Sequence, residues 1–247
     1  MVRMSARSVN AKPCNSARFS PAAVLGGGLM GTGRAVRSYT PIDGLFERAD
    51  ALLRAATRTG SVQVRPTPGD ELPDNPIANA ARRQAAGLMR VNHAGEVCAQ
   101  ALYVGQAALA RDPTNRRALL QAAREEGDHL YWCEQRLAEL GSRGSRLGPL
   151  WFAGSCVIGM AAAASGDRLS LGFVEETERQ VVRHLDGHLG RLPPDDLRSR
   201  AIIAAMRADE QRHADEAQGR GAAALGSPVR RLMAWAARVM TTIAYRI

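Results

Sequence analysis

The sequence predicts an all-α protein: a four-helix bundle with an extra apolar helix at its crossover and an amphipathic helix at its C-terminus. Three observations carry this. The chain is rich in alanine, leucine, glutamate and arginine, with only 4% aromatic residues. Four long segments repeat apolar residues with helical spacing and are punctuated by Asp, Ser, Gly and Pro where helices start and stop. Each of the four also carries glutamate near its middle, and in two of them a glutamate stands three residues before a histidine.

At 247 residues the chain can enclose one substantial core and does not require a second domain. The formal charge of +9 is uneven, because residues 1–65 hold ten Lys or Arg against three Asp or Glu. The bundle itself is therefore close to neutral, which argues against a nucleic-acid partner. The four cysteines have no C-x-x-C spacing, so they form neither a disulfide framework nor a thiolate metal site.

Residues 1–37 carry six basic and no acidic residues and read as a disordered extension to a domain spanning 38–247. The apolar run there is short and broken by glycine, a poor signal-peptide core. GGGLMGTG lacks the strand before it and the Lys-Ser or Lys-Thr ending of a phosphate loop. A short amphipathic helix is expected over 41–60, and the proline-rich stretch 61–76 as a linker. The first long helix runs from about Asn79 to Ala110. Asp112-Pro113 caps and opens the second, which ends near Leu140 before Gly141. The third starts near Ser170 and stops before Pro193-Pro194. Asp195 caps the fourth, which fades around 219–226, and Ser227-Pro228 opens the last.

Between the second and third long helices, residues 147–166 are uncharged. Their length approaches a membrane span, but a crossing would put Glu126 and Glu178 on opposite sides of the bilayer. The stretch is therefore either a buried crossover or a helix lying on a membrane. The last helix alternates apolar clusters with Arg230, Arg231, Arg238 and Arg246, which suits a surface of anionic lipid.

Glu96 lies 30 residues before Glu126, and Glu178 lies 32 before Glu210. Residues i and i+3 share a helical face, so Glu126 with His129, and Glu210 with His213, can each reach one centre. One Glu from each of two helices and Glu-x-x-His from the other two make the donor set of a two-metal carboxylate site. Four carboxylates balance two divalent ions, whereas burying them without metal would force protonation. Glu125 and Asp209, each four residues before a histidine, could replace Glu126 and Glu210. Periodicity does not choose among Glu175, Glu176 and Glu178. Around this set, Tyr103 and His184 are candidates to border the site, and Asp209 to accept a hydrogen bond from the imidazole of the other half-site. His93 reads as packing or capping, with a metal ligand or an outer contact as the alternative, and His188 as exposed.

RVNHAGE at 90–96, the following YVGQ, EEGDH, PLWFAG, ETERQV and DEQRHADEA together resemble the di-iron demethoxyubiquinone monooxygenases of ubiquinone biosynthesis, in the ferritin-like superfamily. The likeness covers about residues 39–247 and leaves residues 1–37 outside it. It implies a ferritin-like bundle with two iron ions per chain, held by Glu96, Glu126, His129, Glu178, Glu210 and His213, and it favours Glu178 over its neighbours. It further implies O2-dependent hydroxylation of a polyprenylated methoxy-methyl-benzoquinol, one oxygen atom entering the ring and the other leaving as water. Electrons would come from NADH, without a stable nucleotide domain, or through the quinol itself. Peripheral attachment to the cytoplasmic face of the cell membrane, and other ubiquinone-biosynthesis proteins as partners, belong to the same expectation. A hydroxylase of a modified transfer-RNA base and an iron-storage role are the competing readings. The first lacks a basic active-site mouth, and the second lacks an acidic interior surface.

Overall fold

A computed structural model describes residues 65–247, so the helix expected at 41–60 and the boundary at residue 37 lie outside the described residues. Among the described residues every regular element is helical: α1 Asn79–Leu109, α2 Pro113–Glu139, α3 Gly148–Ala164, α4 Asp167–Arg191, α5 Leu197–Gly219 and α6 Ser227–Ala244. The four long helices α1, α2, α4 and α5 form the bundle. α1 and α2 are antiparallel across a tight turn in which Asp112 caps α2 by accepting from Thr114 N at 2.6 Å. α3 then climbs back beside α1, so that α4 begins at the end of the bundle where α2 began.

Two expected helix starts move. α4 begins at Asp167 rather than near Ser170, because Gly166 supplies the positive φ of 101° that ends α3 and lets the next helix restart at once. The Asp167 carboxylate accepts from Arg111 N and Asp112 N, tying that start to the α1–α2 turn. α5 is capped by Asp196 and not by Asp195, since Pro193 to Asp196 close a turn of their own and Asp196 is the residue whose oxygen reaches Ser199 N, at 3.1 Å.

The proline-rich stretch is more than a linker where it is described. Thr67 is buried and its hydroxyl meets Gln135 Oε1 at 2.6 Å, while Arg65 lies over the Trp132 ring and Trp132 Nε1 donates to Arg65 O. Proline fixes an extended path, and the polar groups of α2 hold the strap against the bundle.

Two of the buried apolar clusters position the site. Toward one end Leu88, Met89, Trp132, Leu137, Leu185 and Met206 pack together. Toward the other, Tyr103, Val104, Leu119, Ala123, Val174 and Ala217 do the same. On every bundle helix the glutamate identified from the sequence falls between its contributions to the two clusters. The polar layer is thus sealed above and below by apolar side chains.

α3 can lie close to α1 because both helices present glycine at the contact. A Cβ on Gly105 would stand 2.3 Å from Cys156 O, and one on Gly159 would stand 2.4 Å from Leu102 O. Both obstacles are backbone, which cannot rotate away. Gly105→Ala is therefore expected to push the helices apart and cost about 1–3 kcal/mol, the usual range for overpacking. Urea denaturation of the metal-free protein checks this, and an unchanged midpoint would show that the α1–α3 contact contributes little.

No helix among the described residues is long and apolar enough to cross a membrane. α3 nevertheless buries only Cys156, Gly159 and Ala163, leaving Leu150 and Val157 at 61% and 60% exposure. α6 buries only Ala244, and its Leu232 and Trp235 are 63% and 62% exposed.

Candidate metal centre

Glu96, Glu126, Glu178 and Glu210 come from four different helices and are all almost fully buried, with His129 and His213 among them. They form two overlapping groups, Glu96, Glu126, His129 and Glu210, and Glu126, Glu178, Glu210 and His213. Within each group one donor atom per residue lies within 4.8 Å of the others. Glu126 and Glu210 are common to both groups, so the carboxylates of the two Glu-x-x-His motifs are the ones that would serve both half-sites. Glu178 stands at one side only. Glu175 and Glu176 turn outward, Glu175 to Arg179 and Glu176 to Gln180 and Arg183.

The imidazoles are oriented from behind. His129 Nδ1 faces Glu126 at 3.0 Å, Glu210 at 3.2 Å and Glu96 at 3.4 Å. His213 Nδ1 faces Glu210 at 3.2 Å and Glu126 at 3.4 Å. One ring nitrogen carries at most one proton, which cannot point at three oxygens, so each Nδ1 sits where it and the carboxylates could together surround a cation. The far nitrogens cross between the motifs: His129 Nε2 meets Asp209 Oδ2 at 3.0 Å, and His213 Nε2 meets Glu125 Oε2 at 2.9 Å. An outer carboxylate on Nε2 fixes the tautomer that leaves Nδ1 free to bind metal. These carboxylates are held in turn, Asp209 by Arg65 at 2.8 Å and by Arg212 at 2.8 Å, and Glu125 by Arg212 at 2.9 Å.

Within the cluster three buried carboxylate oxygens, Glu126 Oε1, Glu178 Oε2 and Glu210 Oε1, have no hydrogen-bond partner. Glu210 Oε1 is near His129 Nδ1 but out of line for a hydrogen bond. Native interiors seldom leave such atoms bare, because each costs about 1–3 kcal/mol and more when charged. A carboxylate lone pair aimed into a shared centre with no N–H or O–H to receive it is what a divalent cation would satisfy. The donor set fits a metal pair.

Electrostatics say the same in the language of protons. Burial, reinforced by the Glu126 and Glu210 charges, pushes Glu96 and Glu178 well above the usual carboxylate range. Burial also works against Glu126, yet the two imidazoles hold it below its ordinary value. Burial alone would lower His213, but Glu126 and Glu210 push it up to about 12, and Glu126 with Asp209 raises His129 likewise. Without metal, imidazolium protons stand where cations would.

The metal-free protein should therefore lose stability toward both ends of the pH range. The His213 shift is upward, so its stabilisation is full below the unfolded value of ~6.5 and is lost as pH rises toward about 12. Glu125 is depressed to about 2 and Asp209 is lowered too, so their contribution is present above ~4 and is lost only below that. Metal binding must displace the imidazole protons and so strengthens as pH rises. The gap in melting temperature between Fe(II)-loaded and metal-free protein is expected to widen from about pH 6 to 8. A gap that narrows would place the metal elsewhere.

Of the flanking candidates, Tyr103 reaches the cluster, its hydroxyl donating to Glu178 Oε1 at 2.6 Å. Asp209 lies behind the imidazole of the other motif. His184 does not meet the cluster: it is six residues from Glu178, on another face of α4, and its ring lies against His188 at 4.0 Å. His188 is buried and not exposed, its Nδ1 2.7 Å from Asn92 Oδ1, because the α4 face it occupies is covered by α1. His93 packs over Gly144 and pairs with Glu134 outside the cluster. The acceptor role of Glu125 was missed from sequence, although a signal existed. Both motifs read acid-Glu-x-x-His, and the leading acid of each serves the histidine of the other.

The sequence profile of the family described as "Ubiquinone biosynthesis protein COQ7" matches residues 83–244, a span that contains every residue of the cluster. A 3-demethoxyubiquinol 3-hydroxylase of Paracidovorax citrulli is 56% identical over 207 residues, covering 83% of this chain and 100% of that protein. Proteins of the same name from Ralstonia pickettii and Azoarcus sp. are 55% and 52% identical, covering 96% and 100% of their own lengths. The chain belongs to the COQ7 family. Its all-helical fold agrees with the ferritin-like bundle that the resemblance implied, and the buried Glu and His groups of this COQ7-family chain could hold metal where that resemblance puts it.

Proposed function

We propose that this chain is a 3-demethoxyubiquinol 3-hydroxylase, an O2-dependent monooxygenase acting in ubiquinone biosynthesis. Glu96, Glu126, His129, Glu178, Glu210 and His213 would hold two iron ions. The observation that carries the reading is the pair of overlapping buried donor groups sharing Glu126 and Glu210, in a chain whose relatives bear that activity in their names. When bound, the irons supply O2 activation and oxygen transfer to the electron-rich quinol ring.

The chain's own residues do the rest. The two apolar clusters exclude water from above and below, which strengthens each charge interaction inside. Asp209 and Glu125 hold the imidazoles in one tautomer, and Arg65 and Arg212 hold those carboxylates ionised. The Tyr103 hydroxyl donates to Glu178 and so orients a glutamate that lines a small cavity. That cavity, about 10 Å³ between α1 and α4, has room for about one water and is lined by Ala99, Leu102, Gln106, Val174 and Thr177 besides Tyr103 and Glu178, so a ring entering on this side would have to part the two helices.

A polyprenyl tail stays in lipid. The exposed apolar faces of α3 and α6 support peripheral attachment to the cytoplasmic face of the cell membrane, with the tail left in the bilayer while the ring enters. Electrons would come from NADH or through the quinol, and other ubiquinone-biosynthesis proteins could share the same surface.

The test is a single turnover. Anaerobically reduced, iron-loaded protein is mixed with the demethoxy-quinol and isotopically labelled O2, and the product is weighed. One labelled oxygen atom in the ring is expected. A hydroxylated product without the label would make water the oxygen source and overturn the monooxygenase reading, and consumption of O2 with no change in the quinol would point to iron oxidation instead.

A further inference from the structure

We propose that the cavity walled by Arg90, Arg143, Arg146 and Arg246 binds the phosphate of a phosphodiester lipid headgroup, seating the enzyme at one fixed point on the membrane. The cavity measures about 260 Å³ and is lined by these four residues with Gly144 and Ile247, close to the ~300 Å³ at which small-ligand sites begin. It is separate from the carboxylate cluster and shares no residue with it.

Its charge is uncompensated. Arg136, Arg207 and Arg212 all face carboxylates, whereas none of the four cavity arginines takes part in an ion pair among the described residues. Even a carboxylate at Ile247 would leave three positive charges in excess. Arg90 is instead held by neutral acceptors: Nε donates to Arg143 O at 3.0 Å, Nη1 to Tyr245 O at 2.9 Å and Nη2 to Ser142 Oγ at 2.7 Å. These contacts use three of its five N–H groups. They fix the guanidinium without neutralising it, so the floor of the cavity is preorganised for an anion. Guanidinium forks match phosphate oxygens two at a time, and like charges around a concavity raise the local anion concentration.

The position of the cavity selects a headgroup over a free anion. Arg146 stands two residues before α3, and Arg246 two residues after α6. The two helices meet here, Trp151 of α3 packing with Met240 and Tyr245 on the cluster of Val91, Ala94 and Ala244. Both helices expose large apolar side chains, Leu150, Val157 and Ile158 on α3 and Val229, Leu232, Trp235 and Val239 on α6, with Leu150 at the α3 end nearest the cavity. A site for soluble phosphate has no need of two lipid-compatible helices converging on its rim. The inference rests on the membrane reading given under Proposed function and adds a specific contact to it.

The experiment uses the iron-loaded full chain and three probes: dihexanoylphosphatidylglycerol below its micelle concentration, inorganic phosphate, and vesicles of phosphatidylglycerol with phosphatidylcholine. Arg143→Ala/Arg146→Ala removes two exposed charges whose side chains make no hydrogen bond among the described residues. Arg230→Ala/Arg231→Ala removes the same charge from α6 away from the cavity. The short-chain lipid is expected to bind wild type saturably, the cavity variant about thirty-fold more weakly, and the α6 variant as wild type does. Equal loss in both variants would mean bulk charge attraction and overturn the site, as would absence of saturable binding. Inorganic phosphate binding as tightly as the lipid would overturn the headgroup assignment. If the short-chain lipid binds at the cavity while wild type ignores vesicles, the cavity stands and the membrane reading of α3 and α6 falls.

Discussion

Glu210→Gln is expected to reduce bound iron from two ions per chain to fewer than one and to lower turnover by about a thousand-fold or more, while the far-ultraviolet helical signal stays close to wild type. The reason is position. Glu210 belongs to both donor groups and is 1% exposed, so the amide removes one negative charge from each half-site together. Glu96→Gln touches one group only and is expected to leave the other half-site able to hold a metal. Iron analysis after anaerobic Fe(II) loading, run on both variants, separates the two cases. Equal iron content in both would show that Glu210 is not shared. Fold retention is expected because a neutral amide relieves the crowding of buried acids that metal would otherwise offset.

The second large effect lies away from the centre, at Arg136. This guanidinium is 2% exposed and joins three parts of the chain: Nε to Ser199 Oγ at 2.9 Å, Nη1 to Asp74 at 3.0 Å and to Glu139, and Nη2 to Asp196 at 2.9 Å. Asp196 is also the N-cap of α5 and is itself buried. Arg136→Ala therefore leaves a buried carboxylate without its cation, loosens the cap and frees the strap. A loss of about 3–5 kcal/mol in unfolding free energy is expected. Lysine keeps the charge but presents a point, not a fork, so Arg136→Lys should recover only part of it. Urea denaturation measures both, and a midpoint for Arg136→Ala within error of wild type would show that Asp196 is satisfied by other means.

Much of the site was legible because its grammar is local. Glu126 with His129 and Glu210 with His213 are one helical turn apart, and any helix puts such residues on one face. The repeat of the pattern, and its nearly equal distance from Glu96 and from Glu178, needs no tertiary information to be noticed. Helix ends were readable for the same reason: Asp112-Pro113 and Ser227-Pro228 act on their own backbone. Errors of a turn or less came where the decisive fact was a backbone angle, as at Gly166, or a competition between adjacent acids, as at Asp195 and Asp196.

What sequence could not resolve is what crosses between helices. Periodicity gave Glu175, Glu176 and Glu178 comparable standing, but only Glu178 meets Glu126 and Glu210, while its neighbours pair outward. The same limit misplaced His188, whose i,i+4 spacing from His184 says nothing about α1 lying over it. It also concealed that Arg65, in a stretch read as linker, reaches Asp209 behind the His129 ring. By itself the sequence determined an all-helical bundle, its two Glu-x-x-His motifs and the residue types of a candidate metal centre, because capping and one-turn spacing are short-range. Tertiary structure decided which carboxylates belong to both donor groups, which outer acid serves which imidazole, and where four arginines with no ion pair among the described residues line a cavity. Those depend on rotation and height of one helix against another, quantities set by packing across the whole core.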